Sequence, residues 1–250
     1  MKSSIYSSKP QTSTIALIGF AYFVIAVVTL YFLNPAYDLI SSFEGNYDLG
    51  SYEFLVASTF FGLGLGSLAL VIGLYHGMSR SVGSWIGLLL LGIWSVGILI
   101  AGIFPANEGG STVPHMTTIL IAGIFPVEAE AYPETTFSFI HVLAILGALF
   151  SLTLAAIVLS WRFKREAGWR STYRFSLTLA LVMIAASILF FLAIFLSFHT
   201  EFYGFSLNFL TFSSLFWLFL IATRLRFVVR RAGRRPAYPA SLDPQSPPPN

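Results

Sequence analysis

Cysteine is absent from this sequence. Disulfides, thiolate nucleophiles, cysteine-ligated zinc and iron–sulfur clusters are therefore excluded. This single absence removes several classes of redox enzyme and metalloprotein. It also means that cysteine usage carries no information about the redox compartment.

Charge is scarce. Charged residues make up 10% of the 250 residues, and hydrophobic residues make up 56%. Because soluble domains carry about 25% charged residues, most of this chain must have lipid as its solvent. Six apolar segments of about 20 residues each, with their connections, use nearly the whole length. The sequence therefore predicts an all-α, polytopic membrane helix bundle without room for a separate catalytic domain.

Six apolar runs are long enough to cross a bilayer as α-helices, and their interiors contain no Pro, Asp, Glu, Lys or Arg. Proton pumps, voltage sensors, intramembrane Ser–His proteases and bis-histidine haem cytochromes place ionisable groups within their spans, so these classes are disfavoured. A small-solute carrier or channel that works through Ser, Thr and backbone groups is not excluded. The predicted spans are 14–33, 52–75, 83–104, 139–161, 175–198 and 207–222.

Lysine and arginine are missing from one side of the predicted bundle. All 14 lie before the first span, between spans two and three, between spans four and five, or after the sixth span. Because cytoplasmic loops retain Lys and Arg during insertion, the pattern predicts both termini inside and a location in the cytoplasmic membrane of the cell. The predicted division is a cytoplasmic N-terminus (1–13), a membrane domain with a basic juxtamembrane segment (14–235) and a disordered, proline-rich tail (236–250).

The octapeptide ILIAGIFP occurs twice, at 98–105 and at 119–126. The second copy lies in an apolar stretch of about 12 residues, which is too short to span. An additional span would also move the basic loop between spans four and five to the outside. Met116–Val127 is therefore predicted to form a re-entrant or interfacial helix on the outer face, between helices three and four.

Histidines and carboxylates are concentrated on the predicted outer side. His115, His141, His199 and Glu128 form a candidate metal site, because three His and a carboxylate can hold zinc and leave a position for an activated water. Capping of helix ends is the alternative role for these residues. No other cofactor is predicted.

Small residues recur on one face of the second helix. Gly62, Gly66, Gly73 and Gly77 are spaced so that they align along it. In lipid such a face lets helix backbones approach closely. We expect it to pack within the chain, against helix three, and a homodimer interface or a narrow pathway is the alternative.

Arginines cluster directly after the sixth span, where they are suited to the anionic headgroups of a lipid bilayer. Their role in fixing the topology explains them equally well, and no nucleic acid is expected as a partner. The cluster consists of Arg224, Arg226, Arg230, Arg231, Arg234 and Arg235.

Four features together resemble a prokaryotic membrane protein family known as domain of unknown function 998. They are the glycine-rich second helix, a third helix ending in AGIFP, an acidic residue two positions after that proline (Glu128 after Pro126) and a histidine that opens helix four (His141). The first copy of the motif has Asn107 at the acidic position. The likeness spans 14–198 and implies six helices with no assigned activity.

We therefore expect a non-catalytic bundle that interacts with lipid or with partner proteins. The first alternative is an outward-facing, metal-dependent hydrolase that acts near lipid headgroups. The second is the carrier or channel.

Overall fold

A computed structural model of the chain describes residues 11–33, 53–104, 136–195 and 200–233. Within these ranges it is all-helical, and six helices are long and apolar enough to cross a membrane, so the predicted six-helix architecture is confirmed. The helices are α1 (Gln11–Leu33), α2 (Glu53–Gly77), α3 (Val82–Ile103), α4 (Thr136–Phe163), α5 (Tyr173–Phe195) and α6 (Thr200–Gly233).

The six helices form a ring in chain order. Each helix packs against the next, and α1 packs against α6 to close the ring. The short connection 78–81 keeps α2 and α3 adjacent as antiparallel neighbours. Helix α6 also contacts α2 and α4, so it is the most central of the six and links both halves of the bundle.

One end of the bundle collects most of the described charge, and we call it the basic end. It comprises the start of α1, the connection 78–81, the connection 164–172 and the end of α6. A Cβ atom added to Gly73 near the end of α2 would lie 2.5 Å from Leu225 of α6 and 2.9 Å from Thr12 of α1, which shows that these helix ends meet. That the basic end faces the cytoplasm stays a prediction.

Close approach of α1 and α2 depends on glycine. A Cβ atom on Gly66 would lie 3.1 Å from the carbonyl oxygen of Ala16 and 3.3 Å from the Cα atom of Gly19, and one on Gly62 would lie 2.5 Å from Tyr22. Since two of the three nearest atoms at Gly66 belong to the backbone of α1, the two helices can approach this closely only without a side chain at this position.

The partner of the glycine face is not the one expected from the sequence. Gly62 and Gly66 lie against α1, and Gly73 and Gly77 lie against Leu225 of α6, whereas helix three was expected. Another glycine of α2, Gly64, faces α3 instead. The spacing of small residues identifies a face that permits close approach, but it carries no information about which neighbour occupies it.

Several buried polar groups in the core pair with one another across helices. The Ser160 and Ser176 hydroxyls are 2.6 Å apart, and the Trp217 indole N–H donates to Ser176 Oγ at 2.9 Å. The Trp94 indole N–H likewise donates to Ser67 Oγ at 3.0 Å. These contacts connect α4 to α5, α5 to α6 and α2 to α3, which gives helix association in lipid a polar component.

Helix α6 is longer than its apolar run. It begins at Thr200 and ends at Gly233, whereas the predicted span is 207–222. The backbone continues to form helical hydrogen bonds after the side chains change from apolar to basic, so hydropathy marks the lipid-facing part and not the helix ends. The predicted outer helix at 116–127 and the proline-rich tail lie outside the described residues.

Candidate functional site at the basic end

Hydrogen bonds around an ion pair join the two described connections of the basic end. Arg162 Nη2, at the end of α4, donates to Glu166 Oε1, four residues further along the chain, at 2.6 Å. The same carboxylate oxygen accepts from the Ser79 backbone N–H at 3.2 Å and from the Ser79 hydroxyl. Arg162 also donates to the Ser79 hydroxyl oxygen. We call Ser79, Arg162 and Glu166 the loop clamp, because they fasten the connection 78–81 to the connection 164–172.

Serines at the start of α3 extend the loop clamp. Arg162 Nε donates to Ser84 Oγ at 3.0 Å, and Ser84 Oγ donates to the Ser79 carbonyl oxygen at 3.0 Å. Ser81 is the N-cap of α3, and its hydroxyl oxygen accepts from the Ser84 backbone N–H at 3.3 Å. Capping removes an unsatisfied donor from the helix start. Ser81 therefore caps the start of α3, and Ser84 beside it holds Arg162.

The end of α6 is attached to the second connection. Arg224 Nη2 donates to the Gly168 carbonyl oxygen at 2.6 Å. Beside it the Trp169 ring stacks on Phe163, with ring centroids 4.6 Å apart, and Trp169 is only 1% exposed. The connection 164–172 is therefore folded down onto the bundle as part of its packed surface.

Positive charge dominates this end. In the described part of the chain, Glu166 is the single carboxylate here, and it is engaged by Arg162. Phe227 of α6 contacts two of the cations, with Arg231 Cζ 4.0 Å and Arg224 Cζ 5.1 Å from its ring centroid. The ten described basic residues are Arg80, Arg162, Lys164, Arg165, Arg170, Arg174, Arg224, Arg226, Arg230 and Arg231.

The loop clamp organises structure and does not resemble an activated nucleophile. Nucleophilic catalysis by a hydroxyl needs a neighbouring base that is free to take its proton. The Glu166 carboxylate is instead held by the Arg162 guanidinium and by two donors of Ser79. The chemistry that this end offers is a rigid array of cations.

At the opposite end, His141 closes the last turn of α3. Its Nδ1 atom lies 2.9 Å from the Ala101 carbonyl oxygen and 2.8 Å from that of Phe104. An Nδ1–H that donates to both satisfies carbonyl groups that a helix leaves without partners at its C-terminal end. His141 is 2% exposed, its ring meets Phe60 edge-on, and its Nε2 atom is buried without a partner among the described residues.

Of the four residues of the predicted metal site, His141 alone lies within the described residues. His115, Glu128 and His199 lie outside the described residues. Within the described ranges no group of three His, Asp or Glu side chains is close enough to hold a metal. The zinc site therefore stays a prediction, and the capping role expected as its alternative is the one that the His141 geometry shows.

Sequence reasoning missed the loop clamp, although two signals for it exist. Glu166 is the only acidic residue in the strongly basic segment RFKREAGWR, and it stands four positions after Arg162. Opposite charges at that spacing meet on a helix surface. The contribution of Ser79 has no local signal, because it comes from 83 residues earlier in the chain.

Comparison with known proteins gives a family and no activity. Residues 17–225 match the family model described as "Protein of unknown function (DUF998)". No curated protein and no solved structure matches the chain. The match extends from α1 to Leu225 of α6, so it includes the connections 78–81 and 164–172 and Arg224, and it ends before the other arginines of α6.

Proposed function

The chain belongs to the DUF998 family of unknown function, and from this premise we propose that it is a non-catalytic helix bundle whose basic end binds anionic lipid headgroups in the cytoplasmic membrane. Its six apolar helices make it a multi-pass membrane protein. The proposal adds a site, a ligand and an orientation to that architecture.

One observation carries the proposal, namely the charge imbalance of the basic end. Ten basic side chains meet a single carboxylate among the described residues, and that carboxylate is already paired. Cations near the surface of an anionic leaflet each contribute about 1 kcal/mol to association. The remaining cations therefore form a surface that complements phosphate-rich, negatively charged headgroups.

The arginines of α6 are the best placed for this role. Arg230 and Arg231 are exposed in the last turns of the helix, beyond the apolar segment that faces lipid tails. Arg224 is fastened to the connection 164–172, so the start of the cluster is held rigidly against the bundle. Arg234 and Arg235 follow in the sequence, outside the described residues, and extend the same run of charge.

The test compares lipid binding by purified protein with and without two of these charges. We expect wild-type protein in mixed micelles to bind phosphatidylglycerol more tightly than phosphatidylcholine, and Arg230→Gln with Arg231→Gln to weaken phosphatidylglycerol binding about fivefold per charge removed. The preference should decrease as salt is raised, because exposed charges are screened. Binding is measured by thermal unfolding as a function of lipid concentration.

The matched control retains the charge. Arg230→Lys with Arg231→Lys should keep most of the phosphatidylglycerol preference, because headgroup attraction depends mainly on the number of cations. Equal binding of both lipids by the wild-type protein would reject the proposal.

A second candidate function, the outward-facing metal-dependent hydrolase, is favoured by the unpartnered Nε2 atom of His141. Ligating histidines commonly donate one ring nitrogen to a carbonyl and bind the metal through the other, and His141 already makes the first of these contacts. Elemental analysis of purified wild-type protein beside His141→Asn tests it, since the Asn amide can keep a donor for the carbonyls while removing Nε2. About one zinc per wild-type chain, lost in the variant, would support the hydrolase, and metal-free wild-type protein would contradict it.

A further inference from the structure

An apolar groove runs along the outside of the helix ring. Its floor is α3, and its walls are α2 and α4, which both pack against α3. The groove has a volume of about 720 Å³, which lies within the range of roughly 300 to 1,000 Å³ typical of ligand sites. It opens toward the side of the bundle that faces lipid.

Glycines create the space. Gly92 of α3 and Gly147 of α4 both line the groove, and a Cβ atom added to either would meet nothing within 4 Å. Leucine and isoleucine side chains, among them Ile72, Leu89 and Leu143, surround these open positions. In lipid an unfilled apolar hollow loses the dispersion contacts of its lining atoms, so a flexible hydrocarbon chain gains by occupying it.

The groove is long enough for such a chain. Its lining on α3 extends from Trp85 to Ile100, which is about 22 Å at 1.5 Å per residue. The hydrocarbon core of a bilayer is roughly 30 Å thick, so the groove is longer than one leaflet. A chain that enters at the basic end can lie extended along α3 past the middle of the membrane.

Polar and aromatic groups occur at the basic end of the groove. Tyr75 and Trp85 meet edge-to-face with ring centroids 5.6 Å apart, and His76 meets Tyr75 at 5.0 Å. Arg80 is exposed, and its Cζ atom lies 5.6 Å from the Tyr75 ring centroid. Among the described residues no carboxylate pairs with Arg80. Aromatic rings and a cation at this depth are the features that contact a lipid headgroup.

We infer that this groove binds the acyl chain of an anionic phospholipid whose phosphate lies at Arg80. The apolar lining selects a hydrocarbon chain, and the cation at one end selects a negatively charged headgroup and fixes the direction of entry. Arg80 belongs to the basic end, but no residue of α6 lines the groove, so the inference stands whether or not the α6 arginines bind lipid.

Tryptophan fluorescence offers a direct test, because Trp85 lines the groove. Of the five tryptophans, Trp85 and Trp161 are 53% and 66% exposed, whereas Trp94, Trp169 and Trp217 are at most 2% exposed. In a Trp161→Phe background, quenching by phospholipids with brominated acyl chains therefore reports contact at Trp85. Brominated phosphatidylglycerol and brominated phosphatidylcholine are titrated separately into bilayers of unlabelled phosphatidylcholine that contain the full chain.

We expect brominated phosphatidylglycerol to associate about fivefold more strongly than brominated phosphatidylcholine, the effect of one cation at an anionic surface. Arg80→Gln should reduce this ratio to about one. Gly147→Leu should lower the association of both lipids several-fold, because its side chain enters the groove from a position where an added Cβ atom meets nothing within 4 Å. The matched control is Gly83→Leu, which is equally unobstructed but does not line the groove, and it should leave association unchanged.

Two outcomes would overturn the inference. The first is quenching that does not respond to Gly147→Leu, since a filled groove cannot bind a chain. The second is a Trp85 that neither lipid quenches, together with cross-linking between chains across α3, which would assign the groove to a second copy of the protein. Loss of headgroup binding in the Arg230 and Arg231 variants, with Trp85 quenching intact, would affect the proposed function alone.

Discussion

At residue 19 the backbones of α1 and α2 leave no space for a side chain. A Cβ atom added to Gly19 would collide with the carbonyl oxygen of Gly62 and lie 2.9 Å from the Cα atom of Gly66. Both neighbours are backbone atoms, which cannot rotate away as the end of a side chain can. The contact is therefore specific to glycine on both helices.

We expect Gly19→Ala to lower the free energy of unfolding by about 1–3 kcal/mol, the usual result of forcing atoms into a packed core. The matched control is Gly92→Ala, where nothing lies within 4 Å. This variant should be unchanged, or stabilised by up to about 1 kcal/mol through the better helix propensity of alanine. Denaturant unfolding of detergent-purified protein measures both. Equal stabilities of the two variants would contradict the close approach of α1 and α2 at Gly19.

His141 shows what sequence reasoning can and cannot identify at a single residue. Its position at the start of the fourth helix and its place outside the helix interiors were readable from the apolar pattern. Its contacts with the carbonyls of Ala101 and Phe104 were not, because they depend on how the end of α3 sits against α4. The separation of about 40 residues leaves no periodic signal.

At the level of elements, the loop clamp links two helical hairpins, α2–α3 and α4–α5. Each hairpin is held internally by its own helix packing, whereas the clamp joins their connections through polar contacts at the basic end. Hydrogen bonds that involve charged groups are stronger than neutral ones. Arg162 and Glu166 are only 16% and 17% exposed, so solvent weakens them less than it weakens a surface pair.

We expect Glu166→Gln to lower the free energy of unfolding by roughly 1–3 kcal/mol, because the Arg162 guanidinium then lacks its counter-charge in a partly buried position. Arg165→Gln is the control, because it also removes one charge from the connection 164–172, at an exposed side chain outside the loop clamp. Thermal unfolding in detergent measures the difference.

A double-mutant cycle separates the clamp from a general loss of charge. Because Ser79 donates to the same carboxylate oxygen, Ser79→Ala and Glu166→Gln should be non-additive, as contacting residues are. Strictly additive losses would show that the connections are held together by other contacts.

The extents of the six helices show how far apolar patterning reaches. The predicted spans fall within or close to α1 to α6, because a helix that crosses lipid must satisfy all its backbone groups within itself. The extension of α6 to Gly233 was not predicted, since its last turns are basic and carry no apolar signal. The pairing of helices into a closed ring could not be predicted from the sequence either, because no residue pattern indicates which helix packs against a given helix face.

For the whole molecule, the charge distribution and the fold agree about which helix ends lie together. Every described Lys and Arg occurs at the basic end. Counting the predicted spans assigns all the basic residues to one side of the membrane. In the structure the helix ends that carry the described basic residues lie at the same end of the bundle. Which side of the membrane that end faces is the remaining step, and the positive-inside rule predicts the cytoplasm.

The absence of cysteine makes this orientation directly measurable, because a single introduced thiol is then the only one in the chain. Ser171→Cys places it at an exposed position of the connection 164–172, and Ser111→Cys places it between the third and fourth helices, on the predicted outer side. With a membrane-impermeant maleimide, we expect Ser111→Cys to react in intact cells and Ser171→Cys to react only after permeabilisation. The reverse pattern would put the basic end outside, where its cations could not meet the anionic inner leaflet, and would remove the basis of the proposed headgroup binding. Labelling of both sites in intact cells would contradict six spans with the two positions on opposite sides.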